Sequence, residues 1–154
     1  MRIAVGSDHR GVNMLSQAIE VLRQYGHEVV ESKVQQVEGT IDYPDVAAAV
    51  AAQVSRGDVD RGLLICGTGI GMAITANKFP GVRAAVCLDE LTAEISRRHN
   101  NLNVLCLSGD MLGQNALGGV IRVWLDTPFE QGRHQRRIDK ISDIERDIAA
   151  EKRP

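Results

Sequence analysis

Residues 62–78 read GLLICGTGIGMAITANK. The run 62–66 is continuously apolar, as expected of a strand buried on both faces. Glycines interrupt it over 67–71, and 72–78 continue as a helix. The same alternation extends in both directions. Upstream, strands at 2–6 (RIAVG) and 27–31 flank a helix over 12–25. In that helix Leu15, Ile19 and Leu22 recur at helical spacing and Gly26 follows as a stop. Residues 32–44 form a long polar loop, and 46–54 an alanine-rich helix. Downstream, apolar strands at 82–88 and 104–108 alternate with helices at 91–99, 114–125 and 134–150. Five strands alternating with helices imply parallel pairing through right-handed crossovers. The fold class is therefore α/β, with a doubly wound five-stranded parallel sheet. Residues 1–150 are expected to form a single domain closed by a C-terminal helix within 130–150, with 151–154 as a frayed tail.

Composition narrows the function. The chain has 154 residues, with Lys plus Arg at 18 against Asp plus Glu at 20, a formal net charge of −2. That near-balance argues against nucleic acid as partner, because phosphate-backbone binders carry a basic excess. Aromatics at 3% are too few for a platform on which bases stack. No apolar run approaches the ~18 residues of a membrane span, and MRIAVGSDHRG does not begin as a secretory signal. Cys66, Cys87 and Cys106 make neither an even disulfide framework nor a CxxC metal pair. A cytoplasmic protein in a reducing compartment is expected, and the cysteines give no sign of a metal site.

In doubly wound sheets ligands bind beyond the carboxyl ends of the strands. That rule selects residues 7–11, the loop ending at Tyr43, the glycine loop 67–71 and the segment 108–110. Gly67, Gly69 and Gly71 in alternate positions let backbone N–H groups turn toward one point, suited to a phosphate or a developing oxyanion. A tight turn with no ligand is the plainer alternative. A dinucleotide site is weaker still, since GxGxxG would need its third glycine where Met72 stands. Cys66 ends its strand beside this loop, where N–H dipoles favour a thiolate able to act as base or nucleophile. Cys87 and Cys106 read as core packing. Asp8, His9 and Arg10 bring an acid, a proton carrier and a cation to one crevice, although Asp8 also suits a helix cap. His99 and Asn100 end the helix before the last strand, where a cation and an Asn cap are ordinary. Arg133 and Arg137, at i and i+4, continue the apolar stripe of Ile141, Ile144 and Ile148. They share a face that would hold one phosphate, or pair with Glu130 or Asp139.

Taken together, these segments resemble the type B ribose-5-phosphate isomerases, in the family that also contains galactose-6-phosphate isomerase. The motifs are SDHRG at 7–11, DYPD at 42–45, ICGTGIGM at 65–72, ANKFPGVRA at 76–84, RRHNNLNVL at 97–105 and GRHQRRIDKI at 132–141. The resemblance implies a Rossmann-like three-layer sandwich. It further implies a cofactor-free aldose–ketose isomerase of the pentose phosphate pathway and carbohydrate metabolism, interconverting ribose 5-phosphate and ribulose 5-phosphate or a related tetrose or hexose phosphate. The enzyme would be a homodimer or dimer of dimers with sites at the subunit interface. By motif, Cys66 would be the base that moves a proton between C1 and C2 through a cis-enediolate. Gly67, Gly69 and Gly71 would stabilise the enediolate oxygen, and Thr68 and His99 would assist ring opening. Asp8, Tyr43 and Asn100 would contact sugar hydroxyls, and His9, Arg133 and Arg137 the phosphate, with His134 nearby. Met72 stands where some members carry a glutamate base, which places the chain in the cysteine-base group. Asp110 stands where many members carry a phosphate-binding arginine, so either it faces away, pairing with an arginine, or the substrate is held differently. The competing class is a phosphosugar- or nucleotide-binding module without catalysis, which has no need of a base at Cys66. A redox role for Cys66 lacks a resolving partner.

Overall fold

The order of the strands dictates which face each helix covers. The computed structural model describes residues 1–32, 34 and 40–151. The strands are β1 (Arg2–Ser7), β2 (Glu28–Glu31), β3 (Arg61–Cys66), β4 (Ala84–Val86) and β5 (Val104–Ser108). Between and after them run α1 (Val12–Gln24), α2 (Tyr43–Arg56), α3 (Ile70–Ala76), α4 (Glu90–Asn100), α5 (Gln114–Asp126) and α6 (Arg133–Glu151). All pairings are parallel, in the order β2-β1-β3-β5-β4. The chain steps outward from β1 to β2, returns past β1 to β3, continues to the β4 edge, and steps back to β5. A right-handed crossover places its helix on one face when the chain moves one way and on the other when it reverses. Hence α1 and α4 share a face with α5, while α2 and α3 cover the opposite one.

This is the expected three-layer α/β sandwich, and alternation along the central strands fills both cores. Leu63, Ile65, Leu105 and Leu107 face the α1/α4/α5 side with Trp124, and Leu64, Cys66, Val104 and Cys106 face the α2/α3 side. Each fully buried aliphatic side chain stabilises the fold by ~1.5–3 kcal/mol relative to exposure. Cys87 and Cys106 are fully buried, as core packing requires.

Several expectations read from the sequence shift. The helix expected at 72–78 begins two residues earlier, at Ile70, so Gly71 belongs to its first turn rather than to the loop. The strand expected over 82–88 is only Ala84–Val86, because it lies at the sheet edge and pairs with β5 alone. Helix α2 starts at Tyr43, with Pro44 in its first turn, where a missing N–H costs nothing. The stripe Ile141, Ile144 and Ile148 is not buried against this chain: these residues are 45%, 58% and 47% exposed. Helix α6 packs chiefly on α4, burying His134 and Ile138, and its Glu145 accepts from the Gly81 amide at 3.0 Å. Part of the expected 32–44 loop (33 and 35–39) and residues 152–154 of the expected tail lie outside the described residues, while Glu151 is still helical.

Candidate active site

The segments that follow β1, β3 and β5 meet the start of α2 around a pocket of about 500 Å3. Asp8, Arg10, Tyr43, Cys66, Thr68 and Asp110 line it, together with Gly67 and Gly71. All four segments selected by the strand-end rule contribute.

Cys66 ends β3, and its side chain points to the α2/α3 face. The turn that follows brings the Gly69 amide back so that it donates to Cys66 Sγ at 3.1 Å. Gly69 adopts φ +76°, a left-handed conformation that favours glycine, and a Cβ there would lie 3.1 Å from the Leu107 carbonyl oxygen. Only this glycine of the three has a positive φ. The Thr68 hydroxyl accepts from the Ile70 amide at 3.3 Å, which fixes it at the pocket rim. At Gly71 the constraint is space: a Cβ would fall 2.5 Å from Tyr43 Cε2, so the helix turn and the tyrosine ring are in direct apposition.

The loop after β5 is zipped to the loop after β3. Gly109 N–H donates to the Cys66 carbonyl at 2.8 Å, and Asp110 N–H to the Gly67 carbonyl at 3.1 Å. The buried Ser108 hydroxyl donates to the Gly67 carbonyl at 2.6 Å. Asp8, 6% exposed, does not cap α1; Gly11 takes that position without a side-chain cap. Instead the Asp8 carboxylate accepts from the Arg10 amide at 2.9 Å. Asp110 does not face away from the pocket but lines it, and it accepts from the Arg10 guanidinium at 2.6 Å.

The remaining sequence-derived residues are elsewhere. His9 is exposed and is not among the residues lining the pocket. His99 and Asn100 end α4, at the opposite end of the sheet from Cys66. Asn103, just beyond that helix, accepts from the Gly62 amide at 2.8 Å, near the start of β3. Cys66 is four residues further along, roughly 13 Å at ~3.3 Å per strand residue. There His99 stacks on His134, with ring centroids 4.2 Å apart and planes 4° from parallel. Glu130 lies 3.9 Å from His99 Nε2 and 3.5 Å from His134 Nε2. Arg98 donates to the Glu130 carboxylate at 2.6 Å, which holds that carboxyl below the usual range. Burial, then the neighbouring His99, Arg133 and Arg137, push the His134 imidazole below its ordinary value. Ligand atoms of His99, Glu130 and His134 lie within 4.8 Å of one another. The stacked rings hold their in-plane lone pairs in two parallel planes, a poor arrangement for a shared metal ion, which takes imidazole nitrogens along converging directions.

Arg133 and Arg137 are exposed on α6, and among the described residues neither forms a salt bridge. Glu130, offered as their partner, is engaged by Arg98, and Asp139 accepts from Gln135 at 2.7 Å. Two contributors were not singled out from sequence. Arg10 stood there only as the third member of Asp-His-Arg, and Glu130 only as a partner for Arg133 or Arg137. The i, i+4 spacing of Glu130 and His134 is the signal that would have found the second.

A doubly wound sheet with a thiol, a carboxylate and a phenol gathered at its strand ends defines an α/β protein equipped for proton transfer on a small polar molecule. Comparison with known proteins narrows the class. The model of the Ribose/Galactose Isomerase family matches residues 3–141, and the chain belongs to that family. It is 43% identical to the putative sugar phosphate isomerase YwlF of Bacillus subtilis, over 94% of this chain and 97% of that protein. It is 42% identical to ribose-5-phosphate isomerase B of Escherichia coli, over 94% and 96% respectively. Among solved structures, ribose-5-phosphate isomerase B of Clostridium thermocellum superposes with a TM-score of 0.90 at 41% identity, covering 96% of this chain and 99% of that one. The Mycoplasma genitalium enzyme with bound ribulose-5-phosphate gives 0.88 at 41% identity, covering 94% and 96%.

Proposed function

We propose that this protein is an aldose–ketose isomerase that interconverts ribose 5-phosphate and ribulose 5-phosphate, with Cys66 as the base. The observation that carries the reading is the Cys66 thiol at the floor of the strand-end pocket, with the Gly69 N–H aimed at its sulfur. A donor directed at sulfur complements a thiolate, the form that can take a proton.

In the open-chain aldose the Cys66 thiolate removes the proton from C2. The C–H electrons form the C1–C2 double bond and the carbonyl pair moves to O1, giving a cis-enediolate. Helix α3 starts at Ile70, and the Gly71 and Met72 N–H groups of its first turn, which have no partner inside the helix, would stabilise the charge on O1. The Cys66 thiol then returns its proton to C1 while the O2 hydroxyl proton passes to O1, leaving the C2 ketone. No electron leaves the substrate, so the step needs no redox cofactor. Asp8 and Tyr43 hold sugar hydroxyls on the rim of the pocket, and Thr68 assists ring opening.

His99, Asn100, Arg133 and Arg137 would come from another copy of the chain. His99, Asn100, Arg133 and Arg137 are remote from Cys66 within one chain, whereas a homodimer or dimer of dimers would place one copy's α4–α6 end over its partner's pocket. Exposed Ile70 and Ile74 on α3, Leu91 and Ile95 on α4, and Ile141, Ile144 and Ile148 on α6 offer the apolar surface for that contact. Arg133 and Arg137 would then join His9 at the phosphate. No helix among the described residues is long and apolar enough to cross a membrane. A doubly charged sugar phosphate does not cross bilayers unaided, which favours a cytoplasmic enzyme of the pentose phosphate pathway.

The test is turnover of a panel of aldose phosphates from tetrose to hexose, with Cys66→Ala in parallel. Best turnover on ribose 5-phosphate, abolished in Cys66→Ala, is the expected result. Turnover retained by Cys66→Ala would remove the base assignment. Binding of phosphosugars without turnover by the wild type would leave a binding module in place of an enzyme.

A further inference from the structure

We infer that Arg10, aimed by Asp110, binds the substrate's phosphate from within the same chain that supplies Cys66. The inference rests on the phosphosugar reading above. Among the described residues Arg10 is the only basic one lining the Cys66 pocket, against two carboxylates, Asp8 and Asp110. An anionic ligand entering there meets net negative charge unless the Arg10 guanidinium faces it.

Both partners of the pair are held by backbone contacts that limit where they can go. The Arg10 amide is fixed by the buried Asp8 carboxylate at 2.9 Å. The Asp110 amide is tied to the Gly67 carbonyl at 3.1 Å. Packing joins the two loops: a Cβ on Gly109 would sit 2.9 Å from the Arg10 carbonyl oxygen. The guanidinium lies across the first glycine of the loop, since a Cβ on Gly67 would meet Arg10 Nε and Asp110 Oδ2, each at 2.9 Å. Asp110 accepts from Nη2 only, at 2.6 Å. A guanidinium has five N–H donors in a flat fork, so a carboxylate on one nitrogen orients the plane and leaves the others able to grip a second anion.

The pair is not explained as a stabilising device. Its side chains are 55% and 40% exposed, and ion pairs so open to water contribute little to folding. Its position is better explained by the ligand. Asp110 turns a flexible surface cation into one held over the reacting loop, so less side-chain freedom is lost when the phosphate arrives. Arg10 is thus a substrate-binding residue and Asp110 a positioning residue that acts through it. The carboxylate at position 110 does not confront the phosphate alone; Arg10 lies against it.

The experiment is calorimetric titration of ribose 5-phosphate and of inorganic phosphate into Cys66→Ala protein, which keeps the sugar unconverted. It is repeated with Arg10→Gln, Arg10→Lys, Asp110→Asn and Arg10→Gln/Asp110→Asn added. Steady-state kinetics are run on the same changes in the wild-type background. Loss of a charge-assisted contact is expected to weaken both ligands on the order of tenfold or more in Arg10→Gln, with KM rising more than kcat falls. Arg10→Lys recovers part of the affinity. Asp110→Asn loses less, and the double variant stays weaker than the parent because the cation is gone. Double-variant binding equal to the parent would overturn the inference, as would kcat falling with KM and binding unchanged. A wild type that binds ribose 5-phosphate through Arg10 without turning it over would overturn the isomerase reading and leave this inference standing. Turnover that is indifferent to Arg10 would do the reverse.

Discussion

The Gly69 amide points at the sulfur of Cys66, three residues before it, with N···S at 3.1 Å. The contact exists because Gly69 takes a left-handed conformation that folds the chain back over the end of β3. Gly69→Ala puts a Cβ against the Leu107 carbonyl at 3.1 Å in a conformation that disfavours side chains. It is expected to lower unfolding free energy by ~1 kcal/mol or more and to cut kcat at least tenfold, as loss of an aligned donor does. Urea unfolding and steady-state kinetics on the same preparation measure both. Unchanged kcat with lowered stability would show that the N–H···S contact is structural only.

The three cysteines should differ sharply in reactivity. Cys87 and Cys106 are fully buried, and burial pushes both thiols up, away from the thiolate. Cys66 opens on the pocket. Native protein treated with iodoacetamide at neutral pH should give a single adduct, on Cys66, by peptide mass spectrometry. Ribose 5-phosphate should slow its formation. Comparable labelling of Cys87 would contradict the burial pattern.

Gly71 is required for room, not for an unusual backbone. Gly71→Ala drives a Cβ into the Tyr43 ring, 2.5 Å from Cε2. Tyr43 is 43% exposed, so the ring can swing outward and stability should change little. KM for the sugar should rise severalfold, and Gly71→Ala/Tyr43→Ala should match Tyr43→Ala alone, because residues in contact are not additive. Additive losses would mean that Gly71 acts through something other than the ring.

Much of this arrangement is readable from the chain because its causes are local. GLLIC and VLCLS are continuous apolar runs since β3 and β5 are buried on both faces, and the glycine turn lies directly after Cys66. Long-range pairing leaves no such mark. Arg10 and Asp110 are 100 residues apart, and nothing periodic links them. The strand order, with β5 inserted between β3 and β4, has no sequence signature either. Ile141, Ile144 and Ile148 show a true helical stripe, yet periodicity gives only the existence of an apolar face and not what covers it. The separation of His99 from Cys66 within one chain likewise follows from the direction of α4, which runs back toward the strand starts.

That separation yields a complementation test. If each site takes Cys66 from one copy and His99 from another, Cys66→Ala and His99→Asn proteins are each inactive alone. Mixed by denaturation and refolding, half of the dimers combine the two. Each such dimer has one intact site and one doubly altered site, so about a quarter of wild-type activity should return. Recovery at background level, with mixed dimers demonstrated by tagging, would mean that His99 does not complete its partner's Cys66 site.

The His134 cluster predicts how stability responds to acid. The ordinary imidazole value is 6.5, and in the folded chain His134 is below it, through burial first and then the charges of His99, Arg133 and Arg137, opposed by Glu130. The unfolded chain therefore binds a proton at His134 more readily than the folded chain, so unfolding becomes easier as pH falls through 6.5. Glu130 acts in a lower window. Arg98 holds its carboxyl below the ordinary 4.5, so the stability it contributes is present above that value and is lost as pH drops below it. His27, also lowered by burial and by the N-terminal amine, slopes the same way as His134. Urea midpoints of the wild type should thus fall between about pH 7.5 and about pH 5.5, the range in which imidazoles titrate. His134→Asn should reduce that fall without abolishing it, since His27 remains. A wild-type midpoint that rises on acidification, or an His134→Asn slope equal to the wild type's, would mean that His134 is as easily protonated in the folded chain as in the unfolded one.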